Sequence, residues 1–267
     1  MKILLVGDIV GSPGRRVFKQ VVRQLRSDSS VHIVIANAEN AAAGNGITLA
    51  LARELLSSGA DVLTMGDHVW GQRELEGCIQ KIDNFVRPLN FPENTPGKGY
   101  AILRSGFGPL AVVNLLGRVF MNPADCPFRA VDDLLNKLPK NIPVIVDFHA
   151  EATSEKIAMG YHLDGRVAAV VGTHTHVQTS DACILPKGTA YLTDLGMTGP
   201  VNSVLGRDVS RVLKKFTTGM PARLEVAKGP AVLEGAILDI DRESSMAVSI
   251  SCVRFRENEP GGAIEAV

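Results

Sequence analysis

An unbroken apolar run, Lys2–Val6, opens the chain and ends at Gly7-Asp8. A strand with one solvated face alternates apolar and polar residues, whereas a strand covered on both faces reads as a continuous apolar run. The opening run therefore requires layers packed on both sides of a sheet. Gly11-Ser-Pro-Gly14 punctuates it, and Arg15–Leu25 sets Val17, Phe18, Val21, Val22 and Leu25 on one helical stripe. Val31–Ala36 reads as a second strand, Leu49–Leu56 as a second helix and Asp61–Met65 as a third strand. Further on, Gly99–Arg104 and Pro109–Leu115 read as an antiparallel pair turning around Ser105–Gly108. Phe128–Leu138 and Arg207–Lys215 carry helical spacing. Pro143–Phe148, Val167–Val171, Ala190–Thr193, Val232–Asp239 and Met246–Arg256 read as strands. Strand–helix units mixed with hairpins predict an α/β fold with mixed sheets.

At 267 residues and 45% hydrophobic, the chain can bury a sizeable core. Neither a repeat nor a linker divides it, so residues 1–257 are expected to form a single domain, with 258–267 a frayed tail. Lys+Arg and Asp+Glu both number 28. That balance excludes the basic footprint of a long nucleic-acid binder or a membrane-surface protein, and leaves a small substrate as the expected partner. The apolar run before Gly7 is too short for a signal peptide, and no run approaches a membrane span. Cys78, Cys126, Cys183 and Cys252 are scattered without a CxxC pair and read as reduced, mostly buried thiols, which points to the cytoplasm.

Polar residues of ligand type recur at one position in this map, just past the carboxyl end of a strand. Asp8 follows the first, Glu39 and Asn40 the second, Asp67 and His68 the third, His149 the run Pro143–Phe148, and His174 and His176 the run Val167–Val171. In open α/β sheets, ligands bind in the crevice beyond the carboxyl strand ends. Each residue has a plainer reading taken alone. Asp8 could cap the next helix, Glu39-Asn40 could be turn residues, His68 could pack on Trp70, and His149 could be a core histidine. The convergence of five strands argues for a site. His32 and His162 lack that placement and read as structural. If Gly-Thr-His-Thr-His stays extended, His174 and His176 point to one face and can serve two neighbouring cations. Imidazole, carboxylate and carboxamide together suit Fe, Mn, Zn or Ni rather than Ca or Mg alone. Gly11–Gly14 lacks the spacing of a phosphate loop, and no GxSxG occurs to supply a serine nucleophile.

Five ordered blocks carry a resemblance: Gly7-Asp8, Asn37-Ala-Glu-Asn40, Gly66-Asp-His-Val-Trp70, Asp147-Phe-His-Ala-Glu151 and Gly172-Thr-His-Thr-His176. With Asn114–Met121 and Tyr191–Pro200, they resemble the calcineurin-like metallophosphoesterases, and more closely their bacterial YmdB-like branch. The resemblance spans nearly the whole chain. It implies a four-layer α/β/β/α sandwich and a dinuclear centre of transition-metal ions, iron first and manganese or zinc next. It implies hydrolysis of small phosphodiesters, with 2′,3′- or 3′,5′-cyclic nucleotides leading, and a homo-oligomer. Asp8, Glu39, Asn40 and His176 would hold the first ion, Glu39 would bridge, and Asp67, His149 and His174 would complete the second. Water activated by the metals would attack phosphorus, with His68 as the general acid. Two positions depart from the pattern. Val10 stands where most metallophosphoesterases have a histidine, with Asn40 in its place, and Asp67 stands where the branch has an asparagine. A phosphomonoesterase or nucleotidase on the same metal pair, and a non-catalytic metal-binding regulator, remain as alternatives.

Overall fold

The computed structural model describes residues 1–258, so the expected tail lies, from 259 on, outside the described residues. In chain order the strands are β1 Lys2–Val6, β2 Asp8–Ile9, β3 Ile33–Asn37, β4 Val62–Thr64, β5 Phe85–Val86, β6 Tyr100–Ser105 and β7 Gly108–Leu116. They continue with β8 Val144–His149, β9 Ala169–Thr173, β10 Cys183–Ile184, β11 Ala190–Leu192, β12 Met197–Pro200, β13 Ala231–Ile240 and β14 Ala247–Arg256. The helices are α1 Gly11–Ser27, α2 Leu49–Ser57, α3 Pro127–Leu135, α4 Thr153–Leu163 and α5 Val209–Thr218.

The strands form two mixed sheets. One runs β2, β12, β13, β1, β3, β4, β5, with β14 also paired to β13; the other runs β10, β11, β9, β8, β7, β6. In the first, β1, β3, β4 and β5 are parallel and β13 joins β1 antiparallel. In the second, β7, β8, β9 and β11 are parallel, and β6 and β10 close the two edges antiparallel.

Continuous apolar strands explain the layering. Leu4 and Val6 of β1 pack with Val17, Phe18, Val21 and Val22 of α1, while Ile3 and Leu5 face the opposite way. There they meet Leu110, Val112, Ile145 and Val171 of the second sheet. That sheet's other face, with Val113, Leu115, Val146 and Phe148, packs on Val131 and Leu134 of α3 and Met159 and Leu163 of α4. The order helix, sheet, sheet, helix is a four-layer α/β/β/α sandwich. Full burial of each such side chain contributes about 1.5–3 kcal/mol, which is why neither face of the central strands carries a polar stripe.

Several elements differ from the sequence reading. Helix α1 begins at Gly11, so Gly-Ser-Pro-Gly lies inside its first turn rather than before it. Pro13 is tolerated there because the first-turn N–H groups lack intrahelical acceptors anyway. Gly14 is required by a close approach, since a Cβ would overlap the Thr198 carbonyl of β12. Helix α4 has no counterpart in the reading, because buried Glu155 and Lys156 interrupt its apolar stripe. Strands β2, β5 and β10 have two residues each, too few for a pattern. The four cysteines are free, but only Cys252 is buried; Cys183 is exposed on edge strand β10. Among the described residues no helix is long and apolar enough to cross a membrane.

Candidate metal centre

Parallel β1, β3 and β4 of one sheet and β8 and β9 of the other deliver eight polar side chains to one edge of the sandwich. Asp8, Glu39, Asn40 and His149 are at most 2% exposed, so their charges and lone pairs need partners within the protein or a bound cation. Asp8 is not the cap of α1: Val10 holds that position, without a side-chain cap bond.

Two adjoining groups share Glu39. In the first, one ligand-type atom each from Glu39, Asp67, His149 and His174 lies within 4.8 Å of the others. His149 Nε2 lies 3.2 Å from both Glu39 Oε1 and Asp67 Oδ1, and 3.0 Å from His174 Nδ1. Asp67 is therefore turned inward. In the second group, Asn40 Nδ2 lies 3.2 Å from His176 Nε2, 3.2 Å from Glu39 Oε1 and 3.4 Å from Asp8 Oδ1. Half a turn of the Asn40 carboxamide would present its oxygen at the same place. His68 leans over the junction, with Nδ1 3.0 Å from Asn40 Oδ1 and 3.2 Å from Glu39 Oε1.

The loop carrying the two histidines is not extended. His174 and His176 have φ of 102° and 63°, so same-face alternation does not apply. The bend instead sends His174 to the first group and His176 to the second. Lys156 Nζ donates to the Thr173 carbonyl at 2.8 Å and to Asp194 Oδ2 at 2.7 Å, and that oxygen also accepts from Thr175 N at 3.1 Å. Asp8 Oδ2 accepts from His174 N at 3.1 Å. These bonds hold a backbone that side chains other than glycine rarely adopt. Gly66 has the complementary role at the end of β4, where a Cβ would overlap Glu39 and His149.

Each of the three cluster imidazoles has one nitrogen tied to an outside oxygen and the other aimed inward. His149 Nδ1 faces Thr173 Oγ1 at 2.9 Å, and that hydroxyl donates onward to Asp147 Oδ1 at 2.7 Å. His176 Nδ1 faces the Leu205 carbonyl at 3.2 Å, and His174 Nε2 faces Glu151 Oε2 at 3.1 Å. Metal-ligating histidines are oriented by such outer partners, which fix the tautomer and leave one lone pair for the ion. Sequence reading found the eight inner residues and gave no role to Asp147, Glu151, Lys156, Thr173 or Asp194.

Electrostatics point the same way. Asp8, Glu39 and Asp67 have no Lys or Arg in ion-pairing contact among the described residues; their neighbours are imidazoles. Burial opposes their charge, yet the histidines hold all three below the usual carboxylate range, Asp67 at about 2. Burial likewise opposes charge on His149, and the surrounding carboxylates nonetheless raise its pKa well above the ordinary value. Three carboxylates, three oriented imidazoles and a carboxamide thus form a donor set that divalent transition metals fit. Asp147 lies just behind this set, and burial pushes its carboxyl up to about 6.

The chain matches the family described as YmdB-like protein over residues 4–253. It is 49% identical to the 2′,3′-cyclic-nucleotide 2′-phosphodiesterase of Bacillus subtilis (strain 168), over 97% of this chain and 98% of that protein. A crystal structure of a hypothetical protein from Thermus thermophilus superposes with a TM-score of 0.91 at 42% identity, covering 96% of this chain and all of that one. The crystal structure of a protein described as a novel phosphatase, from Mycoplasma pneumoniae, gives 0.90 at 35% identity, covering 97% and 95%.

Proposed function

Because this chain belongs to the YmdB-like family of metallophosphoesterases, we propose that it is a metal-dependent phosphodiesterase acting on cyclic nucleotides. The 2′,3′-cyclic class comes first, as in the name of the Bacillus subtilis relative, and the 3′,5′-cyclic class second. Asp8, Asn40 and His176 would hold one transition-metal ion, Asp67, His149 and His174 a second, and Glu39 would serve both. Iron is the first choice of metal, with manganese or zinc next. The observation that carries this reading is the orientation of the three imidazoles, each tied outside and open inside. Bound there, two cations supply Lewis-acid polarisation of phosphate oxygens and lower the pKa of water.

The chain's own residues do the rest. Glu39, Asn40 and Asp67 fix where the phosphate centre sits, because their backbone is held by short strand-end turns. Asn37 Oδ1, for example, accepts from Glu39 N at 3.2 Å. His68 is the proton donor to the leaving ribose oxygen. Its Nδ1 is engaged by Glu39 Oε1 at 3.2 Å, which leaves Nε2–H for the substrate. The Glu39 hydrogen bond, opposed by burial, raises the imidazole pKa above its ordinary value, which favours the protonated ring that an acid role needs. General-acid help of this kind contributes about 10²–10⁴-fold.

The test compares bis-p-nitrophenyl phosphate with p-nitrophenyl phosphate, with Mn²⁺ or Fe²⁺ added. Faster turnover of the diester is expected. Preference for the monoester would favour a phosphatase, the description given to the Mycoplasma pneumoniae protein, and turnover of neither would leave a metal-binding regulator. The His68→Ala variant should lose about 10²–10⁴-fold in kcat on a cyclic nucleotide, and much less on a nitrophenyl ester, whose leaving group needs little protonation. Equal losses on both would remove His68 from the acid role.

A further inference from the structure

The geometry points to a nucleobase-binding subsite in the cavity beside His68, with Trp70 as its stacking platform. That cavity has a volume of about 500 Å³, and Trp70, Gln72, Arg73, Glu76, Asn94 and Thr95 contribute to its lining. Its size falls within the range of small-molecule sites, roughly 300–1,000 Å³. The inference rests on the phosphodiesterase reading above and names the part of the substrate that reading leaves open.

Position is the first argument. A single residue, Val69, lies between His68 and Trp70, so their Cα atoms are at most about 7 Å apart. The chain between them is a tight turn, with Val69 N bonded to the Gly66 carbonyl at 3.3 Å and Gly71 N to the His68 carbonyl at 2.8 Å. The opposite wall follows β5, the strand beside β4, so both walls rise from the carboxyl edge that carries the metal centre. A phosphate held beside His68 and a base in this cavity need only one ribose between them.

Rigidity is the second. Trp70 is half-buried and packs against the core beneath the first sheet, so its ring is held in place. Buried Arg87 fixes the facing wall by donating to the carbonyls of Pro88 at 2.6 Å, Thr95 at 2.9 Å and Pro96 at 3.2 Å. Gln72 Nε2 anchors the near wall through the Asn45 carbonyl at 2.7 Å. Such a preformed slot loses little freedom when a flat ligand enters.

Chemistry is the third. An aromatic ring with carboxamide, carboxylate, guanidinium and hydroxyl groups around it matches a heteroaromatic base, which offers two faces for stacking and an edge of donors and acceptors. Arg73 and Glu76 form no ion pair among the described residues, so both are free to meet that edge. A site for phosphate alone would need no aromatic wall.

Trp70 is the chain's single tryptophan, so tryptophan emission, excited selectively over tyrosine, reports on this cavity. Adenosine 3′-monophosphate, titrated into Mn²⁺-loaded protein, should quench or shift the emission, while ribose 5-phosphate and inorganic phosphate should not. This arm needs no turnover, so it judges the subsite even if the enzyme reading fails. Emission unchanged by the nucleotide, or changed equally by all three, would overturn the subsite. In kinetics on adenosine 2′,3′-cyclic monophosphate, Trp70→Leu should raise KM about tenfold, as expected for loss of one base–aromatic stack, with kcat within about twofold. Trp70→Phe keeps a stacking face and the core packing, and should stay within about threefold of wild type in KM. A Trp70→Phe variant as impaired as Trp70→Leu, or a loss in kcat alone, would contradict the assignment. Wild-type protein that turns over neither this substrate nor bis-p-nitrophenyl phosphate would instead remove the phosphodiesterase reading.

Discussion

Thr173 separates orientation from ligation, because its hydroxyl accepts from His149 Nδ1 and donates to Asp147 without reaching the inner nitrogen. Thr173→Val keeps the shape and removes both bonds. Metal affinity should fall about 10–100-fold, and Thr173→Ser should restore it; metal titration followed by activity reads both, and an unchanged affinity in the valine variant would exclude the orienting role. Asp67 brings a full negative charge where a carboxamide would bring none, and it lies against His149 and His174. Asp67→Asn should therefore retain metal less well while kcat at saturating metal stays equal or rises. Parallel titrations of the two forms decide it, and equal affinities would sink the idea. The eight inner residues were legible because each stands at the end of an apolar run. Asp147 and Thr173 were not, because their pairing depends on strand register: His149 sits opposite Thr173 only once β8 and β9 align.

Helix α4 shows what sequence patterns hide at the level of elements. Its Lys156 is 1% exposed and its partner Asp194 is fully buried, so a charged residue occupies a position where a helical stripe would place an apolar one. The pair clamps the loop that presents His174 and His176. Replacing Lys156 by Met leaves the Asp194 carboxylate without its counter-charge, which should cost about 3–5 kcal/mol. Urea unfolding of the metal-free protein reads that cost as a lower midpoint with unchanged slope, and a loss under about 1 kcal/mol would contradict the clamp. The same loop explains why the extended reading of Gly-Thr-His-Thr-His failed. A two-residue period assumes a strand, and β9 ends at Thr173, before either histidine. Sheets and cores, by contrast, were readable because unbroken apolar runs leave no alternative to burial on both faces.

Across the whole molecule, the buried carboxylates make stability depend on either protons or cations. Burial works against charge on His149 and His176, yet neighbouring carboxylates raise both pKa values above the ordinary 6.5. Burial lowers the pKa of His174, which offsets part of this, and on balance the folded protein holds protons that the unfolded chain releases near that pH. This stabilisation is complete below about 6.5 and is lost as pH rises through the higher folded values. Chelator-treated protein should accordingly melt at a lower temperature at pH 8 than at pH 6. Added metal should abolish the difference, because the cation takes the protons' place; a melting temperature for chelated protein that rises over the same interval would contradict the charge assignment. On the proposed function, seven side chains would hold a pair of ions that hydrolysis requires. Stepwise Mn²⁺ addition to metal-stripped protein, with turnover of a 2′,3′-cyclic nucleotide measured at each step, tests it most directly. Activity should be absent at the start and climb to a plateau at two equivalents per chain, whereas a plateau at one equivalent, or full activity before any metal is added, would contradict it.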